Sequence, residues 1–596
     1  MKNLILLLLT IPALLASAAD TKKIYDDLAA DRSHTDAERL TQLFDLEWER
    51  ALQESPEFAT SIGDSRFDHR WSDVSEQAIE KWKADLQFPL AVMKSIGRSK
   101  LSEADRLNYD LFLRALERSI EASRFDYQFL AISQLGGVQQ AVPQQLAQMP
   151  TNSIKGYENI LARLRALPVL VEQNVALLKR GLAAGVTQPR ITLRDVPQQI
   201  LGVIPADPLN SPLLNPFKEF SSTIPASEQE RLRTEAVETY KSKIVPAYKV
   251  LHTFMVEKYI PGARESIAFV DLPNGAAWYA LNVSVNTTTT MTPKEIHELG
   301  LREVERIRGE MKEVAAETKF KGSLEEFAAF LRTDPQFYYS NSDDLVRDYR
   351  DISKRIDPEL PRLFGRLPRM PYGVKAIPDH KAHSFPAAYY DFGSEKAGRP
   401  GWFMANTSNL PGRPKWQMEC LTIHEAVPGH HLQLALAQEM GDVPPFRKYS
   451  HFTAFVEGWG LYAESLGGEL GLYKDPYSRY GALTFEMWRS VRLVVDTGMH
   501  AFGWTREKAL RFMIDNTGKD ERDATVEIDR YIVWPGQALA YKIGQLKIRA
   551  LRDEATRELG EKFDIRAFHD ALLANGAVPL DVLEARMKDW VAATKS

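Results

Sequence analysis

Hydrophobic positions along most of the chain recur at three- and four-residue steps, the period of a helix. From Pro293 onward Ile296, Gly300, Val304, Ile307, Met311 and Val314 keep that step. Thr292, Pro293 and Glu295 before them form a capping box with proline at the first helical position. The same periodicity predicts helices over about 38–53, 103–123, 155–183, 226–258 and 344–364. Two regions break it. Seven prolines fall between Pro189 and Pro225, which predicts a long surface connection carrying a short helix. Around Leu272-Pro273-Asn274-Gly275 the flanks SIAFV and AWYALNVSV are strand-like, and Asn-Gly favours a hairpin turn. GWFMANTSNL, residues 401–410, is a further strand candidate. The pattern predicts a mainly α protein with a small β-sheet near its chemistry. A helical N-terminal lobe would cover 20–290, and the chemistry would lie in a second lobe over 291–596.

Composition changes this picture mainly at the start. Lys2, an apolar core and the small residues Ala16, Ser17 and Ala18 have the anatomy of a secretory signal peptide over residues 1–19. An exported, periplasmic or secreted protein is expected. No later run of 18 apolar residues predicts a membrane span. The single cysteine, Cys420, excludes an intramolecular disulfide and leaves no cysteine beside the leader for a lipid anchor. Its place four residues before His424 reads as a buried core position. The net charge of −5 gives no footprint for nucleic acid. Nothing in the pattern sets an oligomeric state.

The chemistry centres on HEAVPGHHLQ, residues 424–433. In the common zinc motif H-E-x-x-H, two histidines four apart share one helix face and the glutamate activates water. Here the fourth position after His424 is Pro428, and the next histidines are His430 and His431. An unbroken helix turns about 100° per residue, so neither would meet His424 properly. Pro428 removes a backbone donor and Gly429 tolerates unusual torsions, so a widened turn here would absorb the extra residues. That favours His430 as the second ligand, with His431 as the alternative. A catalytic zinc site needs a third protein ligand and an open position. AFVEGWGLYAESLG offers Glu457 for it, Glu464 two turns on as a supporting or merely surface group, and Gly458 and Gly460 for close approach to the first helix. His297-Glu298 begins another H-E pair, but no second histidine follows, and an ordinary helix histidine is expected.

Further on, Asp496 and His500 lie four apart on one helix face, as a pair that orients ligands or stabilises charge would. Arg489 and Arg492 flank them and could meet a substrate carboxylate or internal glutamates. In RYIVWPGQALAYKIG, Tyr531 precedes a proline-initiated helix with Gln537 and Tyr541 on one face and Lys542 beside them. A phenol could stabilise an oxyanion, and a helix start could hold a carboxylate. These readings make Glu425, Tyr531, His500 and Asp496 the catalytic candidates and Gln537, Tyr541 and Lys542 the substrate-binding ones.

With these residues in hand, the chain resembles the bacterial family called domain of unknown function 885. The matching stretches are TTTTMTPKEIHELGL, HEAVPGHHLQ, FVEGWGLYAE, RLVVDTGMH and WPGQALAYKIG. The family is distantly similar to helical zinc peptidases such as thimet oligopeptidase and the thermostable carboxypeptidases. FVEGW resembles the stretch that supplies a glutamate zinc ligand in the thimet group, which places that role on Glu457. The resemblance implies a zincin-like fold with Zn2+ held by His424, His430 and Glu457, and a metallopeptidase acting on short peptides. A non-catalytic peptide-binding protein with a degenerate zinc site and a metal-dependent amidase are the other readings.

Overall fold

A computed structural model of the chain describes residues 18–378, Ala382 and residues 385–596. The expected signal peptide lies outside the described residues except for its last two positions. The described protein is mainly helical with a small three-stranded sheet, and none of its helices is long and apolar enough to cross a membrane. Tertiary contacts divide it into two compact units. One comprises residues 18–50 and 77–124, the other 51–76 and 125–596. The division thus falls early in the chain, not near residue 290. In the smaller unit Tyr25, Leu40, Leu43, Phe44, Val92, Met93 and Leu111 are buried.

In the larger unit the first long helix, α1 (Ile154–Ala184), starts where Ser153 accepts the Gly156 N–H and stops at Gly185, whose φ of 70° ends it. The predicted 226–258 helix is also present, running from Ala226 to Tyr259 with two π turns. The proline-rich stretch is not a surface connection. Short helices carry Leu193, Val196, Ile200, Leu213, Leu214 and Phe217 fully into the core against α1 and its neighbours. Proline punctuates these helices, while the apolar residues between prolines decide burial.

The expected hairpin at Asn274-Gly275 is a helix, α2 (Gly275–Thr287). Asn274 does adopt the left-handed conformation its dipeptide favours, with φ 55°, but it starts a helix instead of turning a strand. Trp278, Leu281 and Asn282 bury at three- and four-residue spacing, so tertiary packing overrides β-propensity. Next, α3 (Pro293–Glu317) has the predicted capping box. Thr292 accepts the Glu295 N–H at 3.3 Å, and Glu295 accepts the Thr292 N–H at 2.8 Å.

The sheet comprises β1 (Tyr372–Ala376), β2 (Ala388–Asp391) and β3 (Gly401–Ala405) in the order β1-β3-β2. β3 runs parallel to β1 and antiparallel to β2, with Phe403 opposite both Val374 and Tyr390. The strand predicted at 401–410 stops after five residues. There Asn406 turns the chain by donating its side-chain amide to the carbonyls of Ala382, Phe385 and Pro386. Six helices follow that matter for the site: α4 (Met418–Glu425), α5 (His430–Gln438), α6 (Thr453–Glu464), α7 (Pro476–Ala501), α8 (Glu521–Val533) and α9 (Ala540–Leu559). α3 packs along α7 and α6 along α9. The second crossing is set by glycine on both sides, since a Cβ on Gly544 would fall 1.9 Å from the Ala454 carbonyl oxygen and 2.7 Å from the Gly458 Cα.

Two glycine substitutions separate backbone packing from helix propensity. Gly544→Ala must push α6 and α9 apart and should destabilise by about 1–3 kcal/mol. Gly309→Ala on α3, where nothing lies within 4 Å of the added carbon, should stabilise by up to about 1 kcal/mol. Urea midpoints of both variants check the pair; equal shifts of the same sign would contradict the packing argument.

Candidate metal centre

His424 and Glu425 end α4, and His430 begins α5. Between them the helix is interrupted by a widened turn. The Gly429 N–H reaches back six residues to the Ile423 carbonyl at 2.9 Å, and the His431 N–H reaches back five to Ala426 at 3.0 Å. The turn contains a cis peptide bond at Val427–Pro428. Only glycine fits at 429, since a Cβ there would meet the His424 carbonyl oxygen at 2.1 Å. The Trp459 indole N–H, donating to the Pro428 carbonyl at 2.8 Å, ties the turn to α6. As a result the His424 and His430 rings lie 4.6 Å apart.

α6 supplies the rest of the centre. The Glu457 carboxylate lies 3.6 Å from His424 Nε2 and 3.4 Å from His430 Nε2 through the same oxygen, Oε2. That oxygen is buried and makes no hydrogen bond. Two donors bonded at about 2.0–2.2 Å to one tetrahedral zinc ion sit roughly 3.4 Å apart, so these separations suit three atoms sharing one cation. Two imidazoles and a carboxylate are also the donor set of catalytic zinc. Among the described residues, His424, His430 and Glu457 form the group able to hold a metal. Burial alone would weaken protonation of His424, but Glu457 and Glu464 outweigh it and lift the ring to about 9. Burial likewise opposes ionisation of Glu457, yet the two histidines hold it well below the usual carboxylate range. The two shifts are the two sides of one attraction between Glu457 and the histidines.

One turn beyond Gly460, Glu464 lies 2.7 Å from His424 Nδ1 through Oε1. It also pairs with Arg489 at 3.2 Å and accepts the Cys420 thiol at 3.0 Å. A carboxylate on the far nitrogen fixes a ligating histidine's tautomer, leaving Nε2 for a metal. Gly460 lets α6 pass under the ring, since a Cβ there would sit 2.8 Å from His424 Cε1. Of the two glycines expected to approach the first helix, only Gly460 does so; Gly458 meets α9.

His431 points elsewhere. Its Nε2 donates to the Met370 carbonyl at 3.0 Å and its Nδ1 accepts the Tyr390 hydroxyl at 2.9 Å, while burial lowers its pKa to about 4. It anchors α5 to the sheet.

Four other candidates are committed to internal structure. His500 donates from Nε2 to the Tyr531 carbonyl at 2.9 Å and accepts the Phe269 N–H, and burial lowers its pKa to about 4. Asp496 accepts the Tyr279 hydroxyl at 2.6 Å and the Gly536 N–H at 3.1 Å, with its pKa pushed up to about 7 by burial. A backbone N–H at the start of the Gln537 segment, expected to receive a substrate carboxylate, therefore holds Asp496. The Tyr531 hydroxyl donates to Glu527 at 2.6 Å and accepts from Arg492 and Trp488, so it has no proton for an oxyanion. Lys542 is fully buried among Glu486, Gln545 and Glu303 at 2.6–3.0 Å and cannot reach a substrate.

Tyr541 does stay at the centre, its ring parallel to that of His424 at 6.3 Å. Its hydroxyl accepts from Arg530 at 2.9 Å and from Gln537 at 3.4 Å. Arg489 and Arg492 meet internal glutamates, Glu464 and Glu527. His297 hydrogen-bonds Thr497 and packs on Phe502 and Trp504, a structural role. The sequence reading missed His451, which is exposed yet close enough to Glu457 and His430 to feel both charges. Nothing in its local pattern, a loop before α6, distinguishes it.

Three ligand variants test the grouping. Under zinc loading, His424→Ala and Glu457→Ala should lose the metal while His431→Ala retains it, as read by elemental analysis. Loss of zinc in the His431 variant alone would reverse the assignment. A second test concerns acid stability. His500 and His569 are both buried, with one nitrogen on a carbonyl and the other on an N–H or hydroxyl, and burial lowers each to about 4. Above pH 6.5 neither contributes, because the unfolded histidine is neutral too. Below 6.5 the unfolded chain takes up protons that the folded chain refuses until about pH 4, so stability is lost across that window. Each histidine should cost about 3 kcal/mol at its lower end. Stability measured against pH should fall less steeply in His500→Asn than in the parent protein.

Comparison with solved structures returns the same architecture. A Colwellia psychrerythraea crystal structure described as a "putative lipoprotein" is 27% identical, with a TM-score of 0.87 over 94% of this chain and 100% of that one. A Shewanella oneidensis structure, described as a "putative lipoprotein of unknown function", is 19% identical with a TM-score of 0.67, covering 96% and 100%. Both descriptions fit an exported protein. No curated protein matches the chain by sequence. Residues 56–587 match the family described as "Bacterial protein of unknown function (DUF885)", and the chain belongs to that family.

Proposed function

We propose that this chain is an exported, periplasmic zinc-dependent peptidase of zincin-like design that hydrolyses short peptides. The reading is carried by the shared Glu457 oxygen, buried, without a hydrogen bond and 3.4–3.6 Å from two histidine Nε2 atoms, with Glu425 next to one of them in sequence. When bound by His424, His430 and Glu457, zinc supplies Lewis acidity toward water and a peptide carbonyl. Glu425 is buried, and among the described residues its carboxylate has no hydrogen-bond or ion-pair partner. It is therefore available to take a proton from the attacking water and pass it to the departing amine. A protein that only bound peptides would have no use for such a carboxylate.

Glu464 orients His424, and Arg489 beside it keeps positive charge on the far side of that carboxylate. With Tyr531 and His500 committed elsewhere, the group offered to a developing oxyanion is Tyr541. Its hydroxyl oxygen accepts two hydrogen bonds, and its own proton is left to donate.

The test is incubation of the zinc-loaded protein with a mixed library of short peptides, with products read by mass spectrometry. Cleavage is expected, and Glu425→Gln should lower kcat by about 10²–10⁴-fold while keeping its zinc. No cleavage by the parent protein, or an unchanged rate in the Glu425 variant, would overturn the reading.

A further inference from the structure

Beside the metal centre lies a concentration of cations that the chemistry above does not use. The Trp488 indole, buried on α7, has Lys519 Nζ at 3.7 Å, the Arg492 guanidinium at 4.4 Å and that of Arg489 at 4.5 Å. Glu464 pairs with Arg489 and Glu527 with Arg492. Lys519 is the surplus. Among the described residues no carboxylate lies within ion-pair distance of its amine. Burial, with Arg413 and Arg489 nearby, outweighs the pull of the more distant Asp523 and Glu527 carboxylates and holds that amine below the usual lysine range. Two donors in the cluster, Arg489 Nε and Arg492 Nη1, are also buried without a hydrogen-bond partner, which is rare in a folded protein. Unlike the arginines, Lys519 is only partly buried as a residue.

The cluster is close to the reaction. Arg492 lies 4.3 Å from the Tyr541 ring, which also has Arg489 at 6.0 Å and His424 at 6.3 Å. The Tyr541 ring separates Arg492 from a metal ligand, and the Trp488 ring separates Lys519 from Arg492. An extended peptide advances about 3.3–3.6 Å per residue, so a few residues span the path from His424 through Tyr541, Arg492 and Trp488 to the Lys519 amine. Of the three cations around Trp488, Lys519 has no ion-pair partner among the described residues, and a substrate with a free C-terminus carries an anion.

We infer that Lys519, in the field of Arg489 and Arg492, binds the C-terminal carboxylate of the substrate, so that cleavage is counted from that end. This rests on the peptidase reading and names its substrate class. Lys542, expected from sequence to take this role, is occupied by three internal acceptors; Lys519 lies in the loop before α8 and comes to the centre only through the fold.

The experiment uses acetyl-Ala-Ala-Phe as the free acid, the same peptide as its amide, and acetyl-Ala-Ala-Asp amide, whose carboxylate is on a side chain. With zinc-loaded protein, kcat/KM for the free acid should exceed that for the Phe amide by about 10- to 100-fold. Lys519→Gln should bring that ratio within about 3-fold, and Lys519→Arg should restore most of it. Equal turnover of acid and Phe amide, or an Asp amide as good as the free acid, would overturn terminal-carboxylate binding. So would a Lys519→Gln variant that keeps the full ratio. Calorimetric binding of the same peptides to Glu425→Gln protein separates the two readings. If nothing is cleaved but acid still binds better than amide through Lys519, the peptidase reading fails and the carboxylate site stands. If peptides are cleaved without regard to their C-terminus, the reverse holds.

Discussion

The centre depends on one backbone constraint, the widened turn from Ile423 to His431. Two histidines six apart can reach one carboxylate oxygen only if the helix between them gives up its regular ladder. The hydrogen bonds from Gly429 to Ile423 and from His431 to Ala426 keep those backbone groups paired while adding the extra length. The arrangement leaves no space for a side chain at 429. It also needs an external tie, and Trp459 supplies it from the same helix that carries Glu457. Loop and ligand are therefore positioned by one rigid element. Within VEGWGLYAE each of five residues has a separate contact: Glu457 with both histidines, Gly458 with α9, Trp459 with the turn, Gly460 with the His424 ring and Glu464 with its Nδ1.

Buried charge is the second organising feature. Isolated ions inside a protein are costly, and they persist where partners and hydrogen bonds compensate them. Glu464 meets that condition through Arg489, His424 and Cys420, and Glu527 through Arg492 and Tyr531. Lys542 meets it through Glu303, Glu486 and Gln545. Glu457 and Lys519 do not. The first lacks a hydrogen bond at its buried oxygen, and the second lacks a carboxylate within ion-pair distance among the described residues. Incomplete compensation at these two positions directs attention to ions from outside the chain.

Much of the fold was legible because amphipathic periodicity fixes helices locally. The capping box at Thr292 and the apolar face of α3 follow the sequence residue by residue. The misreadings share one physical cause, since local preference does not determine which surface finds a partner. Asn274-Gly275 favours left-handed backbone equally in a hairpin and at a helix start, and burial of Trp278 chose the helix. Prolines between 189 and 225 signalled chain breaks correctly but said nothing about Leu213 and Phe217 filling the core.

Within the site the same limit separates the legible ligands from the illegible remainder. His424, His430 and Glu457 could be found because a metal demands specific atoms at specific spacings, and the Pro-Gly pair explained the odd one. Asp496 and His500 carried an equally suggestive four-residue spacing, yet that spacing only says that two side chains share a helix face. What each does is set by the element opposite. For Asp496 that element presents Tyr279 and Gly536, and for His500 it presents Phe269 and the Tyr531 carbonyl, all groups of the chain itself. For Glu457 the groups opposite are two imidazoles whose separations leave room for one more atom. A residue's chemistry is thus decided by whether the fold completes its bonding with its own groups, and Glu457, Glu425 and Lys519 are three near the centre that it does not complete.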